Sequence, residues 1–223
     1  MAATAPMAPM AGPRLISLDE PGLAWAEVVM PASSAPVRLI RLHADPATGA
    51  SVSLVSFPPG WVRPGTGHYT CAEEFVAFHG HISVSGETHG PGERTFLPSH
   101  ASRTDSSVAP DGCLAVAWFS ARPAWHDGPA PTLSEPDAGD PAAGEPAAGG
   151  SVPPGPGMPD SAPPGPGMPG SVLLDAVSPE PVPAHDGTSA VDVLYLDARA
   201  WAYVPVGETA PALPGRVLVR PWA

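Results

Sequence analysis

The sequence contains no lysine, no asparagine and no glutamine, so all ten of its basic side chains are arginines. A coding sequence biased toward G and C produces this pattern, and a missing Asn at any one position can then reflect composition rather than function. With no side-chain primary amine, Schiff-base catalysis and a phosphate-binding loop of the GxxxxGK(S/T) kind are both excluded. Positive charge is scarce as well: ten Arg stand against 22 Asp and Glu, a formal net charge of −12, and the arginines form no cluster. Such a chain repels a phosphate backbone and an anionic lipid headgroup alike, which argues against nucleic acid and membrane surfaces as partners.

Cysteine is nearly absent. Cys71 and Cys113 are the only two, too few for a disulfide framework and not arranged as a CxxC pair. They read as buried thiols of a cytoplasmic protein. The first residues, MAATAPMAPMAGP, lack the positive start and apolar run of a signal peptide. No stretch approaches the ~20 apolar residues of a membrane helix. No segment sustains a helical period either.

Proline and glycine are abundant instead, 34 and 24 in 223 residues, so much of the chain cannot pack and one domain with a long insert is expected. Residues 1–12, mostly Ala, Pro and Met, are expected to be disordered. From Arg14 onward, short aliphatic and β-branched runs follow one another at strand length: Leu15 to Leu18, Leu23 to Met30, Val37 to His43 and Ala50 to Phe57. Pro, Gly, Ser and Asp separate them, the pattern of an all-β sandwich or barrel. Glu73 to His79 alternates, placing Glu73, Phe75, Ala77 and His79 on one face, inward in a barrel, and Glu74, Val76 and Phe78 on the other. A hairpin turning at Gly86-Glu87 follows, then a turn at Asp111-Gly112 and a buried closing strand, CLAVAWF. The barrel is read over residues 13–126.

Residues 127–183 read as a disordered linker, with PPGPGMP occurring twice and acidic Pro-Ala-Ala-Gly units before it. Residues 184–223 return to strand-like sequence. Shifted by 178 positions, this segment matches the start of the barrel at seven of 29 positions, Asp19 on Asp197 and Arg38 on Arg216 among them. A lone pair of strands is unstable in water, so this segment is expected to dock on the barrel.

The stretch from Gly60 to Ser107 fits the spacing of two motifs, G-x5-H-x-H-x3,4-E-x6-G and G-x5-P-x-G-x2-H-x3-N. Gly60, Thr66, His68, Glu73 and Gly80 fall on the first, and Gly92, Pro98, His100, Arg103 and Ser107 on the second. In this the chain resembles the cupin superfamily, in particular the cupin half of zinc-binding anti-sigma factors and related two-barrel cupins. The resemblance implies a jelly-roll β-barrel, with residues 184–223 similar to the opening of a second cupin.

In cupins three His and one Glu bind Zn, Fe, Mn or Ni in the barrel mouth, so the resemblance implies either such a metal or, given the substitutions, none. His68 and Glu73 match ligand positions directly, whereas Thr66 is a poor ligand and Arg103 a permanent cation. His100, at the Gly position of the P-x-G turn, is a third candidate ligand if that turn shifts, and otherwise a solvent-facing turn residue. His68 also has a plainer reading, a buried imidazole satisfied by Glu73 or by a backbone group. His79 reads as a rim residue of the opposite end.

The resemblance thus implies a small-molecule enzyme, either an isomerase or cyclase working by acid–base chemistry or a weakly metal-dependent oxygenase. His68, Glu73 and Arg103 would be its catalytic residues, and Thr66, Phe75 and Arg103 would bind substrate, with Arg103 taking an anionic group and pairing with Glu73. The alternative is a non-catalytic binding or sensing module. A homodimer is left open.

Overall fold

The computed structural model describes residues 14–131, 172–176 and 189–222. The expectation of disorder over residues 1–12 lies outside them, as does most of the linker read over 127–183.

The four runs before Phe57 form β1 (Arg14–Ser17), β2 (Ala26–Val28), β3 (Val37–Ala44) and β4 (Ser51–Phe57). The first motif lies on β5 (Val62–Tyr69) and β6 (Glu73–Val84), followed by the short β7 (Glu87–His89) and β8 (Arg94–Leu97). The second motif runs into β9 (Arg103–Phe119), and β10 (Trp125–Asp127) follows. Then come β11 (Val172–Ala176), β12 (Val191–Tyr195), β13 (Ala200–Val204) and β14 (Gly215–Pro221).

The larger sheet has the order β10-β5-β9-β4-β3-β2, with β6 pairing β9 and the two short strands, and it curls into an antiparallel half-barrel. Its middle strands are buried on both faces. In β9, Ala115 and Ala117 face the concave side and Val116 and Trp118 the convex side, and all four are buried. Burial on both faces is why this segment reads as a continuous apolar run.

Asp111-Gly112 does not separate two strands, as the sequence suggested. β9 passes through it, pairing β5 before the bend, β4 after it and β6 on both sides. Gly112 (φ +81°) makes the bend possible. Gly80 (φ +65°) lies against it so closely that a Cβ there would meet the Gly112 carbonyl oxygen at 1.8 Å.

The smaller sheet has the order β1-β13-β12-β14-β11 and lies on the convex face of the larger one. β1, expected as the first barrel strand, pairs β13 instead, from Arg14 opposite Tyr203 to Ser17 opposite Ala200. There Ile16 and the following Leu18 are buried between the sheets, whereas β2, at the edge of the larger sheet, is exposed along its length. Val172–Ala176, within the stretch read as linker, pairs β14 as β11. The C-terminal segment is therefore part of a five-stranded sheet.

That sheet docks through a shared apolar layer. Leu42, Leu54 and Trp118 from the larger sheet meet Leu194, Trp201 and Leu218 from the smaller, each burial contributing roughly 1.5–3 kcal/mol. Polar groups cross the layer as well. Trp118 Nε1 donates to Asp192 Oδ2 at 2.9 Å, and Arg220 Nε lies 3.3 Å from Glu74 Oε2, whose other oxygen accepts from Arg94 Nε. At the rim, Arg199 donates to both oxygens of Asp19 at 2.7 and 2.8 Å.

Candidate functional site in the half-barrel

The concave face of the larger sheet encloses a cavity of about 200 Å³. This is below the ~300–1,000 Å³ of pockets that hold drug-sized ligands. Its walls are mostly apolar, with Val55, Phe75, Ile82 and Ala117 on the sheet and Trp61, Tyr69, Phe119 and Trp125 closing around them. The charged side chains in the lining are Arg41, Arg63, Arg103 and Glu73.

The ladder between β5 and β9 is irregular beside this cavity. Arg63 lies opposite Ser106 and Thr66 opposite Thr104, so β5 takes three steps where β9 takes two. The extra residue falls at Pro64-Gly65, where Gly65 N donates to Asp105 Oδ1 at 2.8 Å. The displaced alternation shows on β9, where Ser106 and Arg103, three residues apart, both line the cavity. On β5, Arg63, Gly67 and Tyr69 are an even number of residues apart and share one face, so Arg63 and Tyr69 line the cavity while Thr66 and His68 do not.

Thr66 and His68, read as inward-facing from the spacing, do not line the cavity. The motif allows three or four residues before its glutamate, and with three the residues at its first two ligand positions are Gly67 and Tyr69. Half-buried Thr66 does not line the cavity, and its carbonyl accepts from Gly128 N at 2.8 Å. His68 is buried outside the cavity, with Nδ1 3.3 Å from the Gly128 carbonyl oxygen and its ring stacked 5.5 Å from that of His126. It is the backbone-satisfied imidazole of the plainer reading. His100 is an exposed turn residue at φ +60°, its ring 5.5 Å from that of His68. His79 leaves the inward face because a second bulge, between Ala77 and His79, breaks the alternation, and it is exposed.

Glu73, Phe75 and Arg103, by contrast, are brought together at the cavity. Arg103 Nη1 donates to Glu73 Oε2, the pairing argued from the motif positions. The Arg103 guanidinium also lies 4.7 Å from the Tyr69 ring centroid.

Arg63 and Trp125, which sequence reasoning passed over, complete the site together with Tyr69. Arg63 is buried among rings, its guanidinium 4.3 Å from the Trp125 ring centroid, 5.5 Å from Trp61 and 5.6 Å from Tyr69. Its Nη2 donates to Tyr69 Oη at 3.2 Å. Burial pushes the Tyr69 hydroxyl above its ordinary pKa, against the pull of Arg63. Trp125 enters from β10, paired with Tyr69. A signal for the bulge was present, since Pro64-Gly65 is turn sequence inside a strand. Nothing in the sequence announced Trp125.

A cupin metal centre needs neutral imidazoles and a carboxylate converging on one point. With three residues before the glutamate, the motif positions here hold Gly67, Tyr69, Glu73 and Arg103. At Gly67 a side chain is sterically excluded, because a Cβ would sit 2.0 Å from Trp125 Cζ2. At the fourth position Arg103 brings a fixed positive charge. The donor set does not fit a transition metal, and among the described residues no group of three His, Cys, Asp or Glu could hold one.

No protein-family model and no curated protein sequence matches the chain. Solved structures do. A candidate dioxygenase from Nostoc punctiforme is similar over 94% of this chain and 82% of its own, with a TM-score of 0.61 at 15% identity. The acetylacetone dioxygenase of Acinetobacter johnsonii is similar over 53% of this chain and 76% of its own, with a TM-score of 0.40 at 15% identity. A polyketide cyclase from Streptomyces resistomycificus is similar over 52% and 83%, with a TM-score of 0.38 at 16% identity. The Nostoc likeness extends across both sheets. The chain has the cupin fold.

Proposed function

We propose that this chain is a cupin-type small-molecule protein whose cavity binds its ligand without a metal and acts on it by acid–base chemistry. The carrying observation is the apolar cavity with Glu73 as its single lining carboxylate among the described residues, oriented by Arg103. Glu73 serves as the base. The Tyr69 hydroxyl, whose pKa burial raises, keeps its proton and serves as the acid. Isomerisation or cyclisation of a small carbonyl compound needs this pair of roles. The oxygenase reading is weaker, because the cavity presents no donor set for the metal it requires. A non-catalytic binding module is the second reading, favoured by the direct Glu73–Arg103 pairing, in which each group already has a partner. A cytoplasmic location, argued from the two free thiols, goes with either.

Proton exchange separates the two. The full chain is incubated in deuterated buffer with a set of small ketones and β-dicarbonyl compounds, and exchange at the carbon next to the carbonyl is followed by proton NMR. Acid–base catalysis predicts exchange above the buffer rate that Glu73→Gln abolishes while binding persists. Binding without exchange in the native chain selects the non-catalytic reading, and exchange undiminished in Glu73→Gln removes Glu73 from the chemistry.

A further inference from the structure

Among the described residues, three guanidinium groups line the cavity against one carboxylate, an excess of two positive charges. The Arg103 charge is met by Glu73. That of Arg63 is not. Arg63 is 5% exposed, and no carboxylate lies within ion-pair distance of it among the described residues. Among the described residues, its Nε has no hydrogen-bond partner, and its Nη2 reaches only the Met30 sulfur at 3.3 Å and the Tyr69 hydroxyl at 3.2 Å. The surrounding rings attract the cation through their faces, which offsets part of its desolvation and leaves the charge unneutralised. A planar guanidinium with a buried, unused N–H and no counter-ion is a recognition element for a carboxylate.

We propose that Arg63 is the anion anchor of the cavity, and that the ligand is a small carboxylate with a flat, apolar body. The flatness follows from the walls. Trp61, Tyr69 and Trp125 present ring surfaces around the guanidinium, and the volume of about 200 Å³ admits only a small molecule. The assignment moves the anion-binding role from Arg103, where the sequence placed it, because Glu73 already occupies that cation. It rests on the reading of the cavity as a small-molecule site, and it adds the charge and shape of what enters.

The test compares charge at constant shape. Benzoate, cinnamate and 2-naphthoate are each titrated against the corresponding primary amide by calorimetry, with the native chain, Arg63→Met and Arg63→Lys. A hydrogen bond to a charged group predicts that the fitting carboxylate binds roughly tenfold to a hundredfold more tightly than its amide. Arg63→Met should lose that preference while keeping its affinity for the amide, and Arg63→Lys should restore part of it. Should Arg63→Met fail to fold, Arg63→Gln, which keeps N–H donors and removes the charge, carries the same comparison. A preference undiminished in the uncharged variants overturns the assignment, because another cation is then the anchor. Equal binding of acid and amide to the native chain also overturns it, and leaves the small-molecule reading standing. Binding of neither series counts against both.

Discussion

Asp192 lies at the centre of the layer that joins the two sheets, and its burial is complete. Burial pushes its carboxyl from 3.8 up to about 7, against the opposing pull of Trp222, Arg220, Trp118 and Trp201. At ~1.4 kcal/mol per unit, such a shift amounts to about 4 kcal/mol between the two protonation states. A carboxyl whose folded pKa is raised holds its proton more tightly in the folded chain. Its contribution is therefore fully present below the unfolded value near 3.8 and is lost as pH rises through about 7. Burial depresses His43, which stacks on Tyr203 in the same region, so His43 works in the opposite direction over part of this window. Asp192→Asn keeps the side chain's shape and an acceptor for Trp118 Nε1, removes the titration, and leaves His43 in place. Urea unfolding of both chains at intervals from pH 4 to pH 8 should give a difference that grows by about 4 kcal/mol in favour of the variant. Parallel stability curves for native and variant chains across that range would refute the reasoning.

The Gly67 position tests the cavity wall. Gly67→Ala drives a methyl into the Trp125 ring and should cost about 1–3 kcal/mol, as overpacking does, with most of the loss recovered in the background of Trp125→Ala. Additive costs in thermal melts would mean that the two do not meet. The thiols should be inert in the folded chain: burial pushes Cys113 up to about 12 and raises Cys71 as well. A disulfide reagent at pH 8 should modify neither until urea is added, and fast reaction of the native chain would contradict the burial of both.

The strands legible in the sequence were those whose pattern depends only on their own burial. The runs from Val37 to Phe57 and from Cys113 to Phe119 became strands because aliphatic side chains there fill both faces of one sheet. Partner choice was not legible. β1 and β11 are four and five residues long, and nothing in so short an alternation distinguishes the edge of one sheet from the edge of another. At the site, Glu73, Phe75 and Arg103 all line the cavity, with no bulge between Glu73 and Phe75 and with Arg103 opposite Gly67 in an unbroken part of the ladder. Thr66 and His68 lie on the face of β5 opposite to that of Arg63 and Tyr69, which line the cavity. A motif spacing that tolerates either of two lengths cannot fix which face of β5 turns inward.

Metal analysis of the purified full chain, isolated without chelators from cells supplied with Zn, Fe, Mn and Ni, tests the central claim most directly. With Gly67, Tyr69, Glu73 and Arg103 in the place of a ligand set, the account predicts no stoichiometric transition metal and no metal-dependent change in thermal stability that Glu73→Ala removes. One tightly held metal ion per chain, lost in Glu73→Ala, would contradict it.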